Sequence, residues 1–441
     1  MNKRTPRLLH LNVNAWLQGF VPSAWRVPEN NPRGFVDIQH YLDVAHWAEK
    51  GKLDAIFLAD SVTTDGLATG PVTALEPTLV LTAIAQATTH LGLIATASTT
   101  YNDPYNLARR FASLDLISGG RAGWNIVTTA DQSSAQKFGQ DEVPDHDQRY
   151  RRAAEFADVV KHLWKSWGEN ALVADAASGQ FVDTSKLHPV LHQGEFLRVT
   201  GTLNQPRSAQ GHPVLFQAGG SQAGQALAAR HAEAVFSASQ SFQEARAYAR
   251  ALNKHAQAIG RPAHSIKVLP GLGVFLGGTE SEARQEHQAL INLVPLEHSL
   301  QRLAARLGVD PNLLKLDEPI PQDLPLPNQG RGGHTFFKAV LARSEQSGLT
   351  LREFLATFAA GGGHREIVGT PEQVANDIEY WFRHGAADGF NIMPGLLPSG
   401  LKDFVEQVVP LLQQRGIFRH DYEGGTLRQH LNLPLPDATH S

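Results

Sequence analysis

The chain has 441 residues, 42% of them hydrophobic and 19% charged, and carries a formal net charge of −4 at pH 7. That is ample apolar material for a large core, and mild acidity without a long Lys or Arg run argues against nucleic-acid or membrane-surface binding. With no cysteine, disulfides, thiolate catalysis and Cys-based metal sites are excluded, and a cytoplasmic location is the expected default.

The N-terminus reads Met1-Asn-Lys-Arg and then Leu8-Leu9, but His10, Asn12 and Asn14 interrupt the apolar run too early for a secretory leader. A first strand over Leu8–Asn14 is the better reading. Polar groups alternating along it need interior partners or a ligand, which makes His10 and Asn12, with Arg26 of the following Trp25-Arg26 pair, candidate catalytic residues. The spacing His10-Leu-Asn12 is not a His-x-His pair, so no metal is expected.

Asp37 is placed to cap a helix whose stripe is Ile38, Tyr41, Leu42, Ala45 and Ala48, ending at Gly51. The next apolar run, Leu53–Asp60, ends in a carboxylate. Asp60 can accept hydrogen bonds from the N–H groups of a heterocycle, or serve as a turn residue. Pro77 suits a first helical position before Leu79, Ala83, Ile84 and Ala87.

Leu91–Ser98 then reads as a buried strand with hydroxyls at its end, Thr96, Ser98 and Thr99. Asn106 precedes a helix with Leu107, Phe111 and Leu114, the pair Gly119-Gly120 stops it, and Ala122–Thr128 reads as another strand containing Asn125. This strand–helix–strand order is a βαβ unit with polar residues at both strand ends, where α/β folds place ligands.

Asp145 can cap a helix on which His146 and Tyr150 stand at i and i+4, with Ala153, Ala157, Val160 and Trp164 continuing the inward stripe. The segment 170–211 holds no long helix and reads as an extended hairpin-type insertion. Strand Pro213–Ala218 leads into Gly219-Gly-Ser221, where a helix start exposes N–H groups beside a hydroxyl. Such a turn can cradle a phosphate, or be an ordinary βα turn capped by Ser221.

Ala234–Ala238, Ile266–Leu276 and Gly389–Met393 complete eight strands, and Thr370-Pro-Glu-Gln373 forms a capping box. Between the last two strands, 277–368 is a long, lid-type insertion with a proline-rich passage and the flexible Gln329-Gly-Arg-Gly-Gly333. Eight strands alternating with helices predict a single domain over 1–441, an α/β (β/α)8 TIM barrel with a long insertion between strands 7 and 8. Neither a Gly-x-Gly-x-x-Gly nor a Gly-x-Ser-x-Gly occurs in the context that would mark a Rossmann fold or a serine hydrolase.

The motifs Ala95-Thr-Ala-Ser-Thr-Thr-Tyr101, Ser118-Gly-Gly-Arg-Ala-Gly-Trp-Asn-Ile-Val-Thr128, His146-Asp-Gln-Arg-Tyr150 and Pro213-Val-Leu-Phe-Gln-Ala-Gly219, in this order, carry a resemblance. Over nearly the whole chain, Leu8 to Leu433, it resembles the bacterial luciferase-like flavin monooxygenases, in the branch of nitrilotriacetate monooxygenase component A and dibenzothiophene-sulfone monooxygenase. The resemblance implies a homo-oligomeric barrel (a homodimer or homotetramer) that takes FMNH2 from a separate NAD(P)H:FMN reductase. With O2 as co-substrate, it would oxygenate a small organic N- or S-containing compound, with C–N or C–S cleavage.

Carried over, Asp60, Thr96, Ser98 and Asn125 would lie at the flavin ring, and His146, Tyr150 and Ser221 at its phosphate. Two departures, Pro22-Ser-Ala-Trp25-Arg26 and Arg306-Leu-Gly-Val-Asp310, leave the catalytic acid and base open and make Arg26 and Arg306 candidates for gripping an anionic substrate. The alternatives are a deazaflavin-dependent oxidoreductase of the same fold, alkane or aromatic hydroxylation, a barrel hydrolase or lyase using Asp60 and a His, and a flavin-sequestering protein without turnover.

Overall fold

The computed structural model describes residues 7–64, 67, 70–325, 333–359 and 364–436. Eight parallel strands form a closed barrel: β1 His10–Asn14, β2 Ala55–Leu58, β3 Gly92–Ser98, β4 Ala122–Val127, β5 Val214–Gln217, β6 Ala234–Ser237, β7 Lys267–Leu276 and β8 Gly389–Pro394. They pair in the order β6-β5-β4-β3-β2-β1-β8-β7, and β6 pairs with β7 to close the ring. The chain is therefore a (β/α)8 TIM barrel, as the alternation of apolar runs predicts.

Helices follow the strands: α1 Ile38–Lys50, α2 Pro77–Ala87, α3 Pro104–Ile117, α4 His146–Trp164, α5 Gln222–His231, α6 Phe242–Ala258 and α7 Pro371–Arg383. After β8 comes a helical run of three segments, Ser399–Asp403, Phe404–Val408 and Val409–Gln414. Caps set the starts. Asp37, Asp145, Ser221 and Thr370 each accept a backbone N–H of the first turn, and Thr370 with Gln373 completes the box. One start is corrected: α3 begins at Pro104 with Asp103 as its cap, two residues before the expected Asn106, because Pro suits a first helical position.

Strand residues alternate between two cores. Leu11, Val13, Ile56, Leu93, Trp124, Ile126 and Leu215 face the helices and pack with Phe111, Phe156 and Trp164. Ala55, Phe57, Ile94, Val214, Phe216, Ala234 and Leu269 face the lumen. The C-terminal helix Leu427–His430 stoppers the lumen from below with Leu427 and Leu431. Gly92 makes room for it: a Cβ there would lie 2.5 Å from Leu427 Cδ1.

The floor is also held by charge. Asp54, just ahead of β2, is fully buried and receives Arg419 Nη2 at 2.5 Å, His10 Nδ1 at 3.1 Å and the Leu11 N–H at 2.7 Å. Burial alone would raise its pKa; Arg419, His10 and the Leu11 N–H overcome that and hold it at about 2.

The 170–211 insertion is two short antiparallel hairpins, not one extended hairpin. Leu172–Asp175 pairs with Gln180–Val182, and Val190–Gln193 with Arg198–Gly201. The 3-10 turn Thr184–Lys186 between them, capped by Asp183, breaks the ladder.

The insertion between β7 and β8 holds helices Glu280–Asn292, Leu296–Leu307, Gly333–Ser347 and Leu351–Ala359, then a strand Arg365–Gly369 that pairs parallel with the upper part of β7. Leu303, Leu307, Phe337, Val340, Leu351 and Phe354 give it a small core of its own. Most of the Gln329–Gly333 motif lies outside the described residues.

Candidate active site at the barrel mouth

The C-terminal ends of β1 to β5 bring together most of the residues that the sequence singles out. Asp60 sits two residues beyond β2, half-buried; burial, helped by the charge of Glu76, pushes its pKa up to about 6 against the pull of the Ser61 N–H and Arg110. Thr96 and Ser98 lie on one face of β3 because side chains alternate along a strand.

Thr96 stands opposite Asn125 of β4 and accepts a hydrogen bond from its Nδ2 at 2.9 Å. Ser98 Oγ accepts from the Thr129 hydroxyl at 2.7 Å and from the Thr100 N–H at 3.1 Å. Asn14, at the end of β1, and Asn125 are both buried, and their Oδ1 atoms have no partner among the described residues. A buried amide oxygen without a donor costs about 1–3 kcal/mol, so these two are an invitation to a ligand that carries N–H or O–H groups.

The second half of the site lies where α4 and α5 begin. Asp145 turns the chain into α4 by accepting the Gln148 N–H at 2.8 Å. His146 and Tyr150 then fall on one face, their rings 4.8 Å apart. Ser221 Oγ caps α5 by accepting the Gly224 N–H at 3.0 Å, and its hydroxyl donates to Tyr150 Oη at 3.4 Å. Two residues 71 positions apart thus converge on the positive end of a helix, beside the open space at Gly220, where a Cβ would meet nothing within 4 Å. His146 is exposed, and Asp147 Oδ1 stands 2.8 Å from its Nδ1.

The candidate catalytic residues fare differently. His10 begins β1 and so lies in the floor, away from the C-terminal strand ends that form the mouth, where it is buried against Asp54. Asn12 lies mid-lumen and donates to Asn391 Oδ1 at 3.0 Å, while Asn391 Nδ2 donates to the Leu269 carbonyl at 2.9 Å. Arg26 is exposed and donates to the Leu293 carbonyl, tying a loop after β1 to the insertion rather than presenting a free guanidinium. Arg306 falls in Leu296–Leu307, and its side chain lies outside the described residues.

Arg149 gained no role from its motif, yet it is half-buried beside Tyr101 and Tyr150. It donates to the Pro144 carbonyl at 2.5 Å, and its Nε has no partner among the described residues. Its place one residue before Tyr150, on the first turn of the same helix, was the available signal. Among the described residues no group of three His, Asp or Glu is arranged to hold a metal, and no helix is long and apolar enough to cross a membrane.

Comparison with known proteins matches residues 17–388 to the luciferase-like monooxygenase family. Nitrilotriacetate monooxygenase component A of Aminobacter aminovorans is 43% identical over 95% of each chain. Dibenzothiophene-sulfone monooxygenase of Rhodococcus erythropolis is 40% identical over 94% of this chain and 93% of that one. Among solved structures, a riboflavin lyase with modified FMN and riboflavin superposes with a TM-score of 0.84 at 32% identity, covering 96% of this chain and 95% of that one. A barrel of this topology, with Ser221, Tyr150 and His146 meeting at a helix start on its rim, accords with these matches: the chain belongs to the luciferase-like monooxygenase family and is a flavin-dependent monooxygenase.

Proposed function

We propose that this chain is the oxygenase of a two-component system. It takes FMNH2 from a separate NAD(P)H:FMN reductase and uses O2 to oxygenate a small organic N- or S-containing substrate, with cleavage of a C–N or C–S bond. The observation that carries the reading is the meeting of Ser221, Tyr150 and His146 at the start of α5, on the same rim as the unpartnered oxygens of Asn14 and Asn125. The designation "component A" of the nitrilotriacetate relative supports the reductase partner.

The residues fit reduced FMN. Ser221, Tyr150 and His146, with Arg149 beside them, would hold the phosphate. Asp60, Thr96, Ser98 and Asn125 would hold the ring. When bound, the reduced flavin supplies the electrons that activate O2 and deliver one oxygen atom to the substrate.

The protein's own work is orientation and exclusion of water. Asp60, charged above about pH 6, accepts N–H hydrogen bonds from the ring. The Asn125–Thr96 bond fixes which way the Asn125 amide faces, so its Oδ1 is presented ready-oriented. The 277–368 insertion, with its own core, covers the mouth as a lid on the single barrel domain and keeps water from the reaction. The assembly is a cytoplasmic homo-oligomer.

Stopped-flow mixing of the anaerobic protein–FMNH2 complex with aerated buffer tests the reading. A transient whose absorbance differs from both reduced and oxidised flavin supports it, and its lifetime should shorten when a true substrate is present. Direct return to oxidised flavin at the rate of free FMNH2, or tight binding of a reduced deazaflavin and none of FMNH2, would overturn it.

A further inference from the structure

The insertion returns to the barrel at His364, immediately before the strand Arg365–Gly369. Arg365 lies opposite Leu272 of β7, which places His364 level with Gly271. Its imidazole stacks on Phe236 with ring centroids 4.9 Å apart and planes 20° from parallel, and it meets Phe20 edge-on at 6.1 Å. Phe236 in turn meets Phe57 at 5.5 Å. Gly271 admits this arrangement. A Cβ there would stand 2.4 Å from His364 Nδ1, 2.7 Å from Phe236 and 2.8 Å from Met393 Sδ.

These neighbours fix where the imidazole is. Phe57, Phe236 and Gly271 are on the lumen faces of β2, β6 and β7, and Gly271 pairs with Asn391 of β8, which binds Asn12. The imidazole therefore stands just past the end of β6, at the register of Gly271 and among lumen-facing side chains. Asp60, Ser98 and Asn125 lie toward β2 to β4, whereas toward β6 to β8 the His364 ring stands among Phe20, Phe236 and Met393. That ring belongs to the insertion and not to the barrel.

Resting on the function proposed above, we propose that His364 is a substrate-positioning residue. Its imidazole hydrogen-bonds the polar group of the substrate while Phe236 and Phe20 hold the apolar body. A hydrogen bond of this kind, made in a water-poor chamber, is worth roughly tenfold or more in affinity.

The test uses FMN-loaded, 15N-histidine-labelled protein, titrated anaerobically with nitrilotriacetate and, separately, with dibenzothiophene sulfone. The His364 resonance is assigned by its absence from H364N. We expect it to shift saturably with at least one of the two probes. We also expect H364F, which keeps the aromatic stack, to weaken that probe about tenfold or more while FMN affinity stays within about threefold. H364N should recover part of the loss.

Saturable binding of a probe without a shift at His364, unchanged probe affinity in H364F, or no response to either probe at millimolar concentration would overturn the proposal. Failure of the unmodified protein to bind FMN at all would instead sink the functional reading, and this proposal with it.

Discussion

Removing the Tyr150 hydroxyl is the sharpest perturbation of the proposed phosphate site. In the structure that hydroxyl lies 3.4 Å from Ser221 Oγ, and the Tyr150 ring is held 4.8 Å from His146. Tyr150→Phe therefore deletes one hydrogen-bonding group and leaves the packing intact. A hydrogen bond to a charged group contributes about 1.5–3 kcal/mol, which predicts roughly a 10- to 150-fold weaker Kd for reduced FMN.

Ser221→Ala should weaken binding by a similar factor. It also removes the cap on the Gly224 N–H, at a cost of about 1 kcal/mol in stability, so Tyr150→Phe is the cleaner variant. Because both hydroxyls would serve one phosphate, the double variant should lose less than the product of the two factors. The assay is anaerobic titration with reduced FMN and, in parallel, reduced riboflavin, which lacks the phosphate. The variants should lose affinity for FMN and keep that for riboflavin. Equal losses for both flavins, or no loss for either, would refute the placement of the phosphate.

Further consequences concern the ring site and the floor. Flavin affinity should fall as pH drops below about 6, because protonated Asp60 loses the charge that strengthens its hydrogen bonds from the ring N–H groups, and Asp60→Asn should flatten that profile; FMN Kd measured from pH 5 to 8 reads both. A raised pKa means that ionised Asp60 costs stability, so relative to D60N the unmodified protein should gain stability in urea as pH falls from above 6 toward 4. Arg419→Met strands the buried Asp54 carboxylate and should cost about 3–5 kcal/mol in urea unfolding at pH 7; a loss below about 1 kcal/mol would contradict the clamp. Since Asp54 is held at about 2, its stabilising contribution should persist above pH 4 and disappear as pH falls through 2. Leu427→Ala should open a cavity beneath the lumen and cost about 2–5 kcal/mol, read from the same unfolding curves.

The barrel was legible in the sequence because each strand is an apolar run with its own helix cap and breaker. Asp37, Asp145, Ser221 and Thr370 cap as their residue types suggest. The meeting of His146, Tyr150 and Ser221 was legible for the same reason: His146 and Tyr150 share a helix face, and Ser221 stands at a helix start, so local rules bring them near their final positions.

What failed was long-range. His10 and Asn14 belong to one alternating pattern, and it is strand direction, not the alternation, that sends the first to the floor and the last to the mouth; the long-range part is the Asp54 partner that awaits His10 there. Arg26 looked free until the insertion supplied the Leu293 carbonyl. His364 gave no local signal at all, since its place depends on a register between β7 and a strand that follows a long excursion.

The most direct test of the central claim is the crystal structure of the complex with FMN. The account predicts the phosphate within hydrogen-bond distance of Ser221 Oγ and Tyr150 Oη, and the ring at the mouth against Asp60 and Asn125. A phosphate bound away from the start of α5, or a ring outside the mouth, would contradict it.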